Sequence, residues 1–189
     1  MLPVEEKEGQ TAAGEPGRAY RELFSWVETI VVSLVIVSLL FTFIIRPVRV
    51  EGDSMRETLH NGDILTILPF FYEAERGDIV VLDSHEDDKL YIKRIIATEG
   101  QTVDIDFVTG AVTVDGETLI EPYIRERTKL EGDVQFPLVV EKGKYFVMGD
   151  NRNHSEDSRF SSLGQVSKQD IIGEAIFRLY PFSAIGGIS

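Results

Sequence analysis

The sequence predicts a mostly β fold, in which a single β-barrel or sandwich-like domain follows one N-terminal transmembrane helix. Two features of the 189-residue chain lead to this prediction. A continuous apolar run occupies residues 27–45, and a run of that length is typical of a helix that spans a bilayer. After it come many short β-branched runs separated by turn residues, a pattern typical of antiparallel β domains.

Composition and charge exclude several classes of function. The formal net charge is -13, whereas proteins that bind nucleic acid present a basic surface, so no nucleic-acid partner is expected. The chain has no cysteine, so it offers neither a disulfide framework nor a thiolate nucleophile. A Gly-rich phosphate loop, an HExxH motif and a Gly-x-Ser-x-Gly motif are also missing. We expect no metal and no cofactor.

The N-terminal part is expected to comprise a disordered tail at residues 1–22 and an anchor helix at residues 23–46. At about 1.5 Å per residue, the apolar run at 27–45 spans roughly 28 Å, which is enough to cross a bilayer. Trp26 and Arg46 flank the run and suit the two interfaces. The alternative is a buried helix of a soluble core. A cleaved secretory signal fits less well, because no small-x-small pattern follows the run.

The β domain is expected at residues 47–182, followed by a flexible end at residues 183–189. Thr-Gly at 109–110 and Asp-Gly at 115–116 are hairpin turn signals between strand-like runs. Strands this short and closely spaced favour a barrel or sandwich over an α/β sheet. The expected strands occupy residues 63–68, 79–82, 91–97, 102–106, 111–114, 118–120, 145–148 and 171–179.

Three stretches of the domain contain residues with catalytic chemistry. In the first, at residues 52–59, a Gly-Asp pair precedes Ser54. This pair favours a tight turn that can hold a hydroxyl out from the fold, although most such tripeptides are ordinary turns. The three histidines, His60, His85 and His154, stand in polar stretches and are interpreted as solvated loop residues. A base for Ser54 therefore need not be a histidine.

Lysine is the alternative base, and Lys93 is the candidate in the second stretch. A lysine base must be uncharged at working pH, which requires burial or a cationic neighbour to lower its pKa. Lys93 lies within the apolar run 91–97, where strand alternation places it on one face with Tyr91 and Ile95. The alternative is a strand-end lysine whose amine reaches water.

The third stretch is the acid- and arginine-rich segment at residues 149–159. Within it, Asp150, Arg152, Asp157 and Arg159 can form charge-assisted, bidentate pairs that stiffen a loop. The alternative is a solvated polar loop, and composition does not decide between the two.

Together, the three stretches resemble the type I signal peptidase family, membrane-anchored serine proteases that remove signal peptides from exported proteins. The most specific match is Gly-Asp-Asn-Arg followed by Ser-x-Asp-Ser-Arg within residues 149–159. The short interval between Lys93 and Gly149 resembles the compact, single-anchor members. The matching blocks follow family order: Gly-Asp-Ser-Met at 52–55, Arg-Gly-Asp-Ile-Val-Val at 76–81, Tyr-Ile-Lys-Arg-Ile-Ile at 91–96, Gly-Asp-Asn-Arg at 149–152 and Ser-x-Asp-Ser-Arg at 155–159.

The resemblance implies a role for each matching residue. Ser54 would be the acylating nucleophile, Lys93 its general base, and Ser155 the residue that hydrogen-bonds and orients the lysine amine. The backbone N–H of Ser54 would supply part of an oxyanion hole, whereas Gly52 stands where some members carry a serine as a second donor. The residues implied to brace the site are Arg94, Asp150, Arg152, Asp157 and Arg159.

The resemblance also implies the substrate and the location. An extended signal peptide would add to exposed strand edges, and pockets for small side chains would direct cleavage after a small-x-small motif. The implied partners are the signal peptides of exported preproteins, the lipid bilayer and a nearby secretion translocon. The implied location is the cell membrane, with a single pass, a cytoplasmic N-terminus and an extracytoplasmic catalytic domain. The expected substrate-binding residues are Val48, Val50, Asp53, Met55, Leu65, Tyr91 and Ile92.

The chain departs from the family pattern at two places. Glu57 stands where proline is common, and residues 97–101 replace the usual Gly-x-Pro-Gly-Asp. Neither departure removes a reacting group. Two alternatives stay open: a self-cleaving Ser/Lys protease of the SOS-repressor kind, and an anchored, non-catalytic module that binds exported chains. The first carries a DNA-binding N-terminal domain in place of a membrane span, and a turnover assay separates the second.

Overall fold

A computed structural model describes residues 16–43, 46–68, 73–84 and 89–188, without the side chains of residues 16–19 and 40–43. Helix α1 belongs to one compact unit and the β-strands to another, with the division after Thr42. His85 and residues 1–15 of the expected tail lie outside the described part.

Helix α1 spans Pro16–Phe43, so both expected boundaries of the anchor need correction. Residues 16–22 are helical rather than part of a disordered tail, because proline suits the first turn of a helix and Arg, Ala and Glu are good helix formers. At the other end, Arg46 belongs to a strand instead of the helix.

Within α1, the stretch Tyr20–Leu39 is a candidate membrane span by length and composition. It has 20 residues with a mean hydropathy of 1.8, and none of its most apolar window is buried within this chain. A helix of a soluble core would bury its apolar face. The exposed apolar surface therefore favours an anchor over the core helix that was the alternative.

The remaining described residues form two antiparallel sheets, which confirms the mostly β fold class. In the larger sheet the strand order is β1-β2-β11-β3-β4-β9-β10, with β12 paired to β11, and in the smaller one it is β7-β6-β5-β8. The strands are β1 Arg46–Arg49, β2 Ile64–Leu68, β3 Ile79–Ser84, β4 Lys89–Ala97, β5 Thr102–Asp106, β6 Ala111–Val114, β7 Glu117–Thr118, β8 Leu138–Val139, β9 Lys144–Met148, β10 Val166–Ser167, β11 Ile171–Tyr180 and β12 Gly186–Gly187.

The centre of the larger sheet positions the site. Strand β3 buries four consecutive apolar residues at 79–82, and β4 is buried from residue 92 to its end, as expected for strands covered on both faces. Strand β4 pairs with β3 along most of its length, but β9 joins its other side only from Arg94 onward. The first half of β4 therefore keeps one free edge among the described strands.

The expected flexible end at 183–189 also needs correction. A 3₁₀ turn occupies Phe182–Ala184, and β12 pairs with β11 through the Gly186–Arg178 and Gly187–Phe177 positions. Backbone pairing with a strand therefore holds the chain through residue 187, and only Ser189 at this end is outside the described part.

Candidate active site

Ser54 lies in a turn that follows strand β1. Gly52, with φ of +84°, adopts a left-handed conformation that favours glycine, and its N–H donates to Asn61 Oδ1 at 3.1 Å. From the opposite side, Asn151 donates its backbone N–H to the Ser54 carbonyl at 2.9 Å and its Nδ2 to the Asp53 carbonyl at 3.0 Å. Two amide side chains that sequence reasoning missed therefore fasten the turn that carries the candidate nucleophile.

Lys93 lies in β4 opposite Val80 of β3, and only 2% of its surface is exposed. Its Nζ donates to Ser54 Oγ at 3.0 Å and lies 5.3 Å from the centre of the Tyr91 ring. Burial lowers the pKa of Lys93 from 10.5 to about 8, although the carboxylates of Asp157 and Glu156 act in the opposite direction. The amine does not reach water, so the alternative of a solvated strand-end lysine is wrong.

Ser155 comes into the same region without making the expected hydrogen bond to Lys93. It is buried, and its Oγ has no hydrogen-bond partner among the described residues. Gly149 provides the space for it, because a Cβ at Gly149 would collide with the Ser155 hydroxyl and with the Ser54 carbonyl. The absence of a side chain at Gly149 therefore lets the two serines approach each other.

Arg94, the next residue after Lys93, is held as a fully paired cation. Its Nε and Nη2 donate to the two carboxylate oxygens of Asp150 at 2.9 and 2.8 Å, and its Nη1 donates to the Gly77 carbonyl at 2.7 Å. Its guanidinium also lies 4.0 Å from the centre of the Tyr123 ring. Thr58, four residues after Ser54, donates its hydroxyl to Asp150 at 2.5 Å. This network links β4, the nucleophile segment and the segment after β9.

The two remaining buried arginines form similar pairs. Arg159 donates from Nε and Nη2 to Asp157 at 2.8 and 2.9 Å, as the charge pattern predicted. Arg152 instead donates to both carboxylate oxygens of Glu121 at 3.0 and 2.6 Å. The segment at 149–159 is therefore braced by partners from other parts of the chain, and the interpretation as a solvated polar loop is wrong.

A cleft of about 640 Å³ opens beside Ser54 and Lys93. Four expected substrate-binding residues line it: Val48, Asp53, Tyr91 and Ile92. The other three, Val50, Met55 and Leu65, are not among the residues that line the cleft. They belong to the buried apolar cluster that also contains Ile92, so their role in substrate binding stays a prediction. Arg49, Glu51 and Leu90 also line it, within the strand edges at 48–53 and 90–93 that were expected to receive the substrate. Sequence reasoning missed four further residues that line the cleft, namely Pro47, Lys89, His154 and Glu156.

Comparison with known proteins identifies the family of the chain. The family model described as signal peptidase, peptidase S26, matches residues 23–180. The chain belongs to the signal peptidase family. It is therefore a serine endopeptidase that removes signal peptides from preproteins, which favours this function over both alternatives left open by the sequence.

Several curated signal peptidases are similar over nearly their whole length. Signal peptidase I of Bacillus licheniformis is 39% identical over 174 residues, covering 86% of this chain and 91% of the relative. Signal peptidase I S of Bacillus subtilis (strain 168) is 38% identical, covering 86% and 92%. A solved signal peptidase I from Enterococcus faecalis V583 is 26% identical, with a TM-score of 0.46, and covers 55% of this chain and 97% of that one.

The buried charge network lies in the catalytic domain of this S26 peptidase. Four cations, Lys93, Arg94, Arg152 and Arg159, are almost wholly buried within the catalytic domain of this signal peptidase. Each of the three arginines has a carboxylate partner in a bidentate pair, whereas Lys93 has its hydrogen bond to a neutral serine hydroxyl. An amine without a paired carboxylate is suited to lose its proton.

Proposed function

We propose that this signal peptidase cleaves preproteins with a Ser54–Lys93 dyad, after a small-x-small motif and through an acyl-enzyme. The 3.0 Å contact between Lys93 Nζ and Ser54 Oγ, inside a buried site, carries the proposal. A pKa of about 8 leaves a useful fraction of Lys93 uncharged near neutral pH.

The proposed reaction has two halves. The neutral Lys93 amine takes the Ser54 hydroxyl proton as the Ser54 oxygen attacks the scissile carbonyl. The Ser54 N–H donates to the resulting oxyanion, and Lys93 returns the proton to the leaving amine of the mature protein. Lys93 then takes a proton from water as the water oxygen attacks the ester. It returns that proton to Ser54 Oγ as the bond to the signal peptide breaks, which releases the new carboxyl end and restores the dyad.

Ser155 and the arginine pairs are proposed to position these groups. Ser155 offers a buried hydroxyl with no other partner in the described chain, and this supports a role in orienting the lysine amine. The pairs of Arg94, Arg152 and Arg159 with Asp150, Glu121 and Asp157 keep the segment around Gly149 in place.

Two free strand edges support substrate binding by strand addition. Strand β1 pairs with β2 on one side, and residues 89–93 of β4 pair only with β3 among the described strands. Val48 and Ile92 line the cleft next to these edges. We propose that the signal peptide lies along them in extended form, with its small side chains against this apolar lining.

Helix α1 is proposed to anchor the enzyme in the cell membrane by a single pass, with the N-terminus in the cytoplasm. Signal peptides are removed from exported proteins, so the catalytic domain is proposed to work on the extracytoplasmic side and near the translocon. Protease treatment of intact cells checks this: the β domain should be accessible, and a tag on the N-terminus should be protected.

Cleavage of a preprotein with an Ala-x-Ala site by the detergent-solubilised full chain tests the proposed chemistry. Ser54→Ala and Lys93→Ala should both be folded and inactive, while Lys144→Ala, which removes a partly exposed lysine paired with Glu141, should be active. Turnover by a folded Lys93→Ala variant would rule out the dyad. Binding without cleavage by the wild type would rule out the proposed reaction.

A further inference from the structure

Charges are unevenly distributed along the walls of the cleft. Lys89 lines it four residues before Lys93 on β4, roughly 13 Å away at about 3.3 Å per strand residue. Next to the dyad two carboxylates line the cleft, because Asp53 precedes Ser54 and Glu156 follows Ser155, while Arg49 and Glu51 contribute one charge of each sign before Gly52. The catalytic end of the cleft therefore differs in charge from the far end.

Glu156 is placed differently from its neighbour Asp157. The Asp157 carboxylate is fully buried, paired with Arg159, and accepts the Gly149 N–H at 3.0 Å. Glu156 is exposed, and its carboxylate accepts a hydrogen bond from Ser162 Oγ at 2.6 Å. None of the ion pairs found among the described residues includes Glu156. It is a held carboxylate that faces the cleft and can take a cationic partner from solution.

The position of Glu156 relative to the dyad follows from Ser155 and Gly149. Ser155 Oγ and the Ser54 carbonyl both lie against the Gly149 Cα, so the Ser155–Glu156 peptide is close to the nucleophile turn. The Glu156 carboxylate also raises the pKa of Lys93, which places it within electrostatic range of the amine.

The path of the substrate leads past this residue. A signal peptide lying along residues 89–93 cannot continue in line beyond Lys93, because β9 takes over that edge of β4 at the Arg94–Met148 position. With the scissile carbonyl at Ser54, the proposed strand addition therefore directs the chain after the scissile bond beside the segment that follows β9. That segment contains Gly149 and, at the cleft wall, His154 and Glu156.

We infer that Glu156 is a specificity-determining residue, which favours preproteins carrying a lysine or arginine within the first two residues after the scissile bond. This inference rests on the proposed function, since the proposed strand addition sets the direction of the substrate. Glu156 is solvent-exposed, so the preference is modest. Exposed ion pairs correspond to about a 2- to 5-fold difference in kcat/KM, reduced by salt.

Three preproteins that differ only at the second mature residue, as Lys, Gln or Glu, test the inference. The wild-type full chain in detergent at low salt should cleave the Lys form about 2- to 5-fold faster than the Glu form at limiting substrate. Glu156→Gln should reduce this ratio toward 1, and Glu156→Lys should invert it. Glu131→Gln, which removes an exposed carboxylate that does not line the cleft, is the matched control and should keep the wild-type ratio.

A ratio between two substrates cancels any change that the variant makes in the pKa of Lys93, because both substrates use the same amine. An unchanged ratio of Lys-form to Glu-form cleavage in Glu156→Lys would overturn the inference. If that variant still cleaved the Gln form, the Ser54–Lys93 dyad would be unaffected by this result. If the wild type cleaved none of the three preproteins, the proposed function itself would fail. The two failures are therefore distinguishable.

Discussion

Lys93 and Arg94 are adjacent, each about 2% exposed, and yet they are treated in opposite ways. Arg94 donates twice to the Asp150 carboxylate and lies against the Tyr123 ring, so it stays a cation. Lys93 meets a neutral hydroxyl, and burial lowers its pKa to about 8. Burial with a paired carboxylate gives a structural cation, whereas burial without one gives a base. Lys93, on one face of β4, is thus placed to act as a base, whereas Arg94, on the other face, supports the structure.

The substitution with the largest expected effect makes Lys93 resemble its neighbour Arg94. Lys93→Arg keeps a positive charge on the same strand position, but a guanidinium does not lose its proton at working pH. We expect kcat/KM to fall by about 10²- to 10⁴-fold, which is the usual contribution of general-base catalysis. Preprotein cleavage measures this, with circular dichroism as the control for folding. Substantial activity in Lys93→Arg would contradict a base role for Lys93.

The second test removes the counter-charge from Arg94. Asp150→Asn leaves a buried guanidinium without its carboxylate, so we expect a loss of about 3–5 kcal/mol in the free energy of unfolding. Urea unfolding of the detergent-solubilised chain measures it. Glu141→Gln is the matched control, because its pair with Lys144 is largely exposed and should matter little. A similar small effect for both variants would contradict a supporting role for the Arg94–Asp150 pair.

The third test also measures the free energy of unfolding, but here the substitution should stabilise the protein. The pKa of Lys93 is about 8 in the folded protein and 10.5 as its ordinary value, so the unfolded state binds more protons between these two values. The unfavourable contribution of Lys93 is therefore fully present below pH 8 and disappears as pH rises toward 10.5. Lys93→Met should raise the free energy of unfolding at pH 7 by on the order of 1–3 kcal/mol.

Urea unfolding at pH 7 and pH 10 checks the prediction for Lys93→Met. The gain should be larger at pH 7 than at pH 10, while Lys144→Met should show no such difference. A Lys93→Met variant that is less stable than the wild type at pH 7 would mean that the buried amine is stabilised by groups other than those described around it.

The same contrast explains what could be predicted from the sequence. Strands β4 and β11 were located because each contains a long run of mostly apolar residues, several of them β-branched, which indicates a strand. Strands β8, β10 and β12 were missed because two residues carry no periodicity. Lys93 was identified because an amine in an apolar run is unusual wherever the rest of the chain lies.

The partners of the arginines could not be obtained in this way. Asp150 pairs with Arg94, 56 positions earlier, and Arg152 pairs with Glu121, 31 positions earlier. Carboxylates closer in sequence were equally suitable partners for these arginines, and only the fold determines which of them pair. Val50 could not be assigned either, because an apolar residue near a cleft suits the wall and the core behind it equally well.

The smallest expected effect is a shift in the pH profile, which reports the pKa of Lys93. The acidic limb of the pH profile of kcat/KM should have its midpoint near the Lys93 pKa of about 8, falling tenfold per pH unit below it. Four charged groups act on this amine: Asp157, Glu156 and Asp150 raise its pKa, and Arg159 lowers it. Three of these are buried in pairs, so Glu156 is the one that can be changed without disturbing the network.

Glu156→Gln should therefore move the limb to lower pH by a fraction of a unit, because the charged amine loses a favourable neighbour. The Gln-bearing preprotein is the substrate for this comparison, so that substrate charge does not contribute. Glu131→Gln should leave the limb where it is. A limb that moves to higher pH in Glu156→Gln would show that the titrating group is a different one from Lys93.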